Sequence, residues 1–301
     1  NIGLQAEDPT IAELLKPLGY ATAQFGKNHL GDKDKFLPSN HGFDEFFGNL
    51  YHLNAEEEPE TYFYPKDPAF HKRYAPRGVI HSYADGKIED TGPLTRKRME
   101  IIDQEFTDNT IRFMQDAHKD NKPFFIWFNA TRMHVWTRLA PQWQGKSGHG
   151  LYADGLMEHD YHVGQLLDEL DKLRIADNTI VVFLNDNGGG GSTSLYAGHS
   201  RNYANNKPLR GHKFDVLEGG VRVPLIIRVP GGPSRVVIDN QVRTIDVAPT
   251  ILEALEIPVR ARMEGESLMD LMRGQPESEP RIAYADALNA YDSHAPGPKK
   301  L

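Results

Sequence analysis

One stretch constrains this chain more than any other. Thr179, Ile180, Val181, Val182, Phe183 and Leu184 form an unbroken apolar run, which reads as a strand buried on both faces. It stops at Asn185, Asp186 and Asn187 and passes straight into Gly188 and Gly189. A carboxylate beside a carboxamide at a strand end offers hard oxygen ligands, the kind that suit Mg²⁺ or Ca²⁺. In open α/β sheets, ligands bind outside the carboxyl ends of strands. Taken alone, the pattern equally fits a polar turn after a core strand.

Three further polar clusters sit in comparable places. A short strand over Tyr20 to Phe25 runs into Gly26, Lys27, Asn28, His29, Leu30 and Gly31. Lys27 and His29, at alternate positions, could face one anion or lie on a surface turn. A second apolar strand, Pro123 to Asn129, leads to Arg132 and His134. Lys213 lies between Pro208 and Phe214, ahead of Glu218 to Pro224 and a strand from Leu225 to Val229.

Helices are expected from an Asp8 cap through Leu18, over Leu94 to Lys119, over Leu151 to Leu173 and over Asp246 to Leu255. Strands alternating with helices predict an α/β fold, with a mainly parallel central sheet covered by helices on both faces. Pro38 to Gly48 reads as a tight turn with aromatic anchors. Residues 56–91 read as a long surface loop of the kind that rims a pocket, with Glu56, Glu57 and Glu58 on a solvated face. His159 and His162, three apart on a helix, read as structural. Trp136 and Trp143 fit stacking on an aryl or sugar ring as well as they fit packing.

Composition narrows the partners. A formal net charge of -8 argues against nucleic acid. No Cys is present, which excludes a disulfide framework and thiolate metal sites. No apolar run reaches the length of a membrane span. The first residues, Asn1 to Gln5, do not read as a signal peptide, so periplasm and cytoplasm both stay open.

The order of these clusters carries a resemblance. Gly26 to Gly31 is similar to the GKWHLG element of the sulfatase family, with Asn28 where Trp is usual. Gly42, Phe43 and Asp44 match its GFD element. Pro123 to His134 resembles the strand that ends in the family's substrate histidine, and Asp186, Asn187 and Gly188 resemble its DNG metal motif. Pro208 to Lys213 with Glu218 to Pro224 resembles PLRGxK…EGGxRVP, and Ile245 to Leu255 resembles the helix that follows. On these matches the chain is identified as a member of the sulfatase branch of the alkaline-phosphatase-like superfamily.

The resemblance implies a sulfuric ester hydrolase cleaving a small-molecule or glycan sulfate monoester. Asp186 and Asn187 would hold a divalent cation, Ca²⁺ as usual in the family, with Mg²⁺ the alternative. Lys27 and His29 would hold the nucleophile. His134 and Lys213 would grip the sulfate, with His134 as general acid and Arg132 a further substrate contact. Family members use a formylglycine made from Cys or Ser in an upstream motif, beside a pair of adjacent Asp ligands. This chain has no Cys and no Asp-Asp pair. The nucleophile is therefore expected from a segment outside these 301 residues. Residues 1–273 are expected to form the catalytic core, lacking its first strand, and 274–301 a linker and the start of a C-terminal subdomain. Two readings compete with sulfate-ester hydrolysis: phosphate or phosphonate ester hydrolysis on the same fold, and a non-catalytic anion-binding fragment.

Overall fold

The computed structural model describes residues 3–134, 136–190, 206–259, 263–277, 279–287 and 299–300. The chain divides into two compact units, Asn1–Leu173 and the described residues from Arg174 onward.

The first unit is built on a five-stranded mixed sheet in the order β4-β3-β2-β1-β5. Strands β1 (Ala21–Gly26), β2 (Glu45–Asn49) and β5 (Phe124–Asn129) are parallel, while β3 (Val79–Tyr83) pairs antiparallel with both β2 and β4 (Ile88–Asp90). Side chains alternate across the sheet. Ala23, Phe25 and Phe47 join Phe106 and Phe113 of helix α5 (Ile102–Lys119) in one core cluster, whereas Phe46 joins Leu37, Leu50 and Ile80 in another. The register pairs Phe25 with Phe47 and Gln24 with Phe46, which is why each pair shares a face. Burying each such aromatic contributes about 1.5–3 kcal/mol. Helix α6 (Leu151–Lys172) packs beside α5.

Several expectations are corrected here. The first helix, α1 (Ile11–Leu15), is capped by Thr10, not Asp8, through a capping box with Glu13. Residues 45–49, read as part of a turn, form the fully buried β2. Residues 56–91, read as a loop, hold helix α2 (Leu53–Glu57) in part, helix α3 (Pro68–Tyr74) and the β3–β4 hairpin. Glu56 and Glu57 are only 4% and 1% exposed, the opposite of a solvated face. Strand β5 ends the sheet and is half-buried, with Trp127 exposed on it. A short helix, α4 (Arg96–Met99), precedes α5.

In the second unit the opening stretch becomes β6 (Val181–Leu184), paired antiparallel with β7 (Leu225–Arg228). It is half-buried where a doubly covered strand was expected. Helices α7 (Glu218–Val221), α8 (Val247–Ala254) and α9 (Met269–Met272) complete its main elements. Asp246, Arg243 and Arg281 form a buried ion cluster at the start of α8. No described helix is long and apolar enough to cross a membrane.

Candidate active site

In the first unit the strand ends converge tightly. Gly26 has φ +111°, and a Cβ there would lie 1.9 Å from the Asn129 carbonyl oxygen, so only glycine fits. The chain beyond β1 is then pinned on both sides. Lys27 N–H donates to Asn129 O at 2.9 Å, Asn28 N–H to Asn49 O at 2.9 Å and Tyr51 N–H to Asn28 O at 2.8 Å. Residues 27–29 therefore run between the ends of β5 and β2.

Three imidazoles collect at this place. The His29 ring meets Tyr51 edge-on at 4.9 Å and His52 at 5.8 Å. His52 in turn lies parallel to His134, with ring centroids 5.7 Å apart and planes 9° apart. His52 thus joins two residues that the sequence singled out separately. It was missed: like His29, it lies three residues past a strand end, but the residues of that strand read as a turn in the sequence, which hid the signal. His52 is the N-cap of α2, its Nδ1 accepting the Ala55 N–H at 3.3 Å. His134 accepts the Trp136 N–H on Nδ1 at 3.2 Å. With Nδ1 as acceptor, a neutral ring carries its proton on Nε2. Full transfer of that proton would leave an imidazolate. The arrangement therefore favours hydrogen-bond donation by His134 over the whole-proton transfer expected of a general acid.

Beneath the histidines lie two charged hubs. Arg132 is buried and gives Nε–H to Glu158 at 2.7 Å, Nη1–H to Thr131 Oγ1, and Nη2–H to the carbonyls of Met99 and Arg138. Four guanidinium N–H groups donate within the fold, and Nη1 also forms an ion pair with Asp103 at 3.0 Å. Arg132, expected to contact substrate, is committed to the fold instead. Burial pushes the Glu158 carboxyl above the usual range, more than Arg132 pulls it down. Burial also lowers His159 and His162 on the same helix, which fits their structural reading.

The second hub is Glu57. Its carboxylate accepts Trp136 Nε1–H at 2.9 Å, Arg138 Nε–H at 2.9 Å, Arg138 Nη2–H at 2.6 Å and Arg96 Nε–H at 2.7 Å. Burial alone would raise this carboxyl, but the bonds from Arg138 and Trp136 and the charges of Arg138 and Arg96 hold it below the ordinary value. The Trp136 indole is thereby tied into the fold, and Trp143 packs against Tyr161.

In the second unit, Asp186 is exposed just past β6, and Asn187 spends its Nδ2 on the Gly188 carbonyl at 2.9 Å. The Gly188 N–H donates to Gly220 O at 2.9 Å, and a Cβ on Gly188 would lie 1.8 Å from Gly219 O. The Lys213 N–H donates to Gly189 O at 3.0 Å, and the Asn206 amide bonds Gly189 and Gly211. Asp186, Asn187 and Lys213 are thus gathered at one end of β6. The first unit gathers Lys27, His29 and His134 in the same way. The Asp186 carboxylate and the Asn187 amide oxygen are hard donors that fit a divalent cation. Among the described residues no group of three or more His, Cys, Asp or Glu is placed to hold a metal ion.

Comparison with known proteins bears on the family and the fold. The family model "Sulfatase" matches residues 1–257. An N-acetylgalactosamine-6-sulfatase of Mus musculus is 31% identical over 97% of this chain and 55% of its own length. An arylsulfatase of Hemicentrotus pulcherrimus is 30% identical over 90% of this chain and 47% of its own. The chain therefore spans about half the length of the curated relatives it matches. A crystal structure of a sulfatase from Pseudoalteromonas sp. superposes with a TM-score of 0.78 at 24% identity, covering 96% of this chain and 59% of that one.

Proposed function

The chain belongs to the sulfatase family, and from that premise we propose that it is the core of a sulfuric ester hydrolase acting on a sulfated sugar. The observation that carries this reading is the cluster at the end of β1, where Lys27 and the three imidazoles His29, His52 and His134 lie on strand ends held in register by backbone bonds. A sulfate monoester is an anion whose cleavage builds negative charge on the leaving oxygen. Ammonium and imidazole N–H groups fixed in advance stabilise that charge without reorganising. Lys27 and His29 orient the nucleophile, His134 gives its Nε2–H to the leaving oxygen, and Lys213 neutralises a sulfuryl oxygen.

Asp186 and Asn187 would contribute to a Ca²⁺ site, whose chemistry would be to supply positive charge to a sulfate ester. Family members carry a formylglycine as nucleophile. Lys27 and His29 are the residues of this chain placed to hold it. The relative named for N-acetylgalactosamine 6-sulfate points to sugar sulfates ahead of simple aryl sulfates.

The test is hydrolysis of N-acetylgalactosamine 6-sulfate and p-nitrophenyl sulfate by the full-length gene product with Ca²⁺, beside p-nitrophenyl phosphate. Sulfate turnover that falls about 10²-fold or more in His134→Ala supports the reading. Faster phosphate than sulfate turnover, or an unchanged His134→Ala variant, overturns it.

A further inference from the structure

The His134 segment is fastened to a carboxylate that no step of the proposed chemistry uses. Glu57 accepts Trp136 Nε1–H, and the backbone N–H of that same Trp136 donates to His134 Nδ1. Two hydrogen bonds therefore link a buried carboxylate to the imidazole through one residue. Arg138, four residues past His134, is held by the same carboxylate through Nε and Nη2. Glu57 is the last residue of α2, and the N-cap of that helix is His52, which stacks on the His134 ring. One short helix thus meets the His134 segment from both of its ends.

We propose that Glu57 is a positioning residue which, through Trp136, holds His134 with Nδ1 occupied and its Nε2–H presented to the leaving-group oxygen. An imidazole accepting at Nδ1 keeps its single proton on Nε2, the tautomer that can donate. Without the anchor, Trp136 can move, its N–H leaves Nδ1, and the ring is free to rotate or exchange tautomers. Among the described residues the ring stacks on His52 of α2, which meets His29 from the end of β1, while Glu57 with Arg96 and Arg138 lies one residue removed through Trp136. Arg132, Asp103 and Glu158 lie behind the segment. The kinetic arm of this inference rests on the sulfate-ester reading, while its spectroscopic arm does not.

The experiment pairs kinetics with nuclear magnetic resonance of ¹⁵N-histidine-labelled full-length protein, the His134 signal being assigned by its loss in His134→Ala. In the wild type that signal is that of the neutral Nε2–H form, and in Glu57→Gln it moves toward the average of the two tautomers. Glu57→Gln lowers turnover of a sugar sulfate, a poor leaving group, by about ten- to a hundredfold, with KM little changed. p-Nitrophenyl sulfate, a good leaving group, loses less than about threefold, because little charge needs stabilising on its oxygen. In the His134→Ala background Glu57→Gln adds no further loss.

Trp136→Phe removes the indole N–H while leaving the ion cluster intact. It carries the same expectations if Glu57→Gln does not fold, and Glu57→Asp is expected to restore part of the activity. Equal losses on both esters, full additivity with His134→Ala, or an unmoved His134 signal in a folded variant would overturn the proposal. A wild-type protein that hydrolyses neither sulfate overturns the sulfate-ester reading instead, and the His134 signal then decides the positioning role.

Discussion

Two segments carry the side chains proposed to grip sulfate, and they are stiffened by opposite means. Residues 131–138, with His134, are held by charge: Arg132 between Asp103 and Glu158, and Glu57 beneath Trp136 and Arg138. Residues 206–220, with Lys213, are held largely by backbone, in which Gly188 and Gly189 lie so close to Gly219, Gly220 and Lys213 that peptide groups bond directly, with the Asn206 amide and the Asp215 carboxylate adding bonds within it. A charge-held segment depends on ionisation and cannot lose a partner. A backbone-held segment ignores pH and cannot gain a Cβ.

The largest expected effect is on the charged side. Arg132→Met leaves Asp103 and Glu158 buried without their cation, and is expected to cost about 3–5 kcal/mol in urea unfolding. Wild-type stability in that variant would break the comparison.

Next comes Glu56, beside Glu57. Its carboxyl is buried, and burial pushes its pKa up to about 8, the nearby Gly78 N–H offsetting a part. The folded state then keeps a proton that the unfolded chain releases near pH 4.5. Stability from this group falls as pH rises between about 4.5 and about 8, by at most about 1.4 kcal/mol per pH unit, and is level above that. Glu56→Gln is expected to flatten this slope, as urea midpoints at a series of pH values would reveal. An identical slope in both proteins would show that the carboxyl ionises normally.

A smaller effect is expected on the glycine side. Gly188→Ala forces Gly219 away and is expected to cost about 1–3 kcal/mol, equally at every pH. A pH-dependent loss would mean that charge also holds this segment. Smallest is Arg222→Ala. Its 3.5 Å pair with Glu218 is solvent-exposed, so a change within about 0.5 kcal/mol is expected by the same unfolding assay.

Much of the site was legible because its residues sit at strand ends, where an apolar run followed by polar side chains leaves a clear pattern. Lys27, His29, His134, Asp186 and Asn187 were singled out this way, and Lys213 by its motif. The β3–β4 hairpin had a local signal too, Asp85 with Gly86 at φ +89°, but the charge and proline of residues 56–91 masked it. Glu57 had no such signal. Three consecutive glutamates look like solvent, and only the approach of Arg96, Arg138 and Trp136 from distant segments makes one of them a buried anchor.

The sequence by itself determined the family, the α/β class and which side chains stand at strand ends, since these depend on local period and motif order. Tertiary structure alone decided which polar groups are spent on the fold and which face outward. Arg132 and His134 are two residues apart in the chain. Yet one is locked between buried carboxylates in the core, while the other is half-buried, stacked on His52 and accepting the Trp136 N–H. Burial and partner count are sums over neighbours that no local pattern contains.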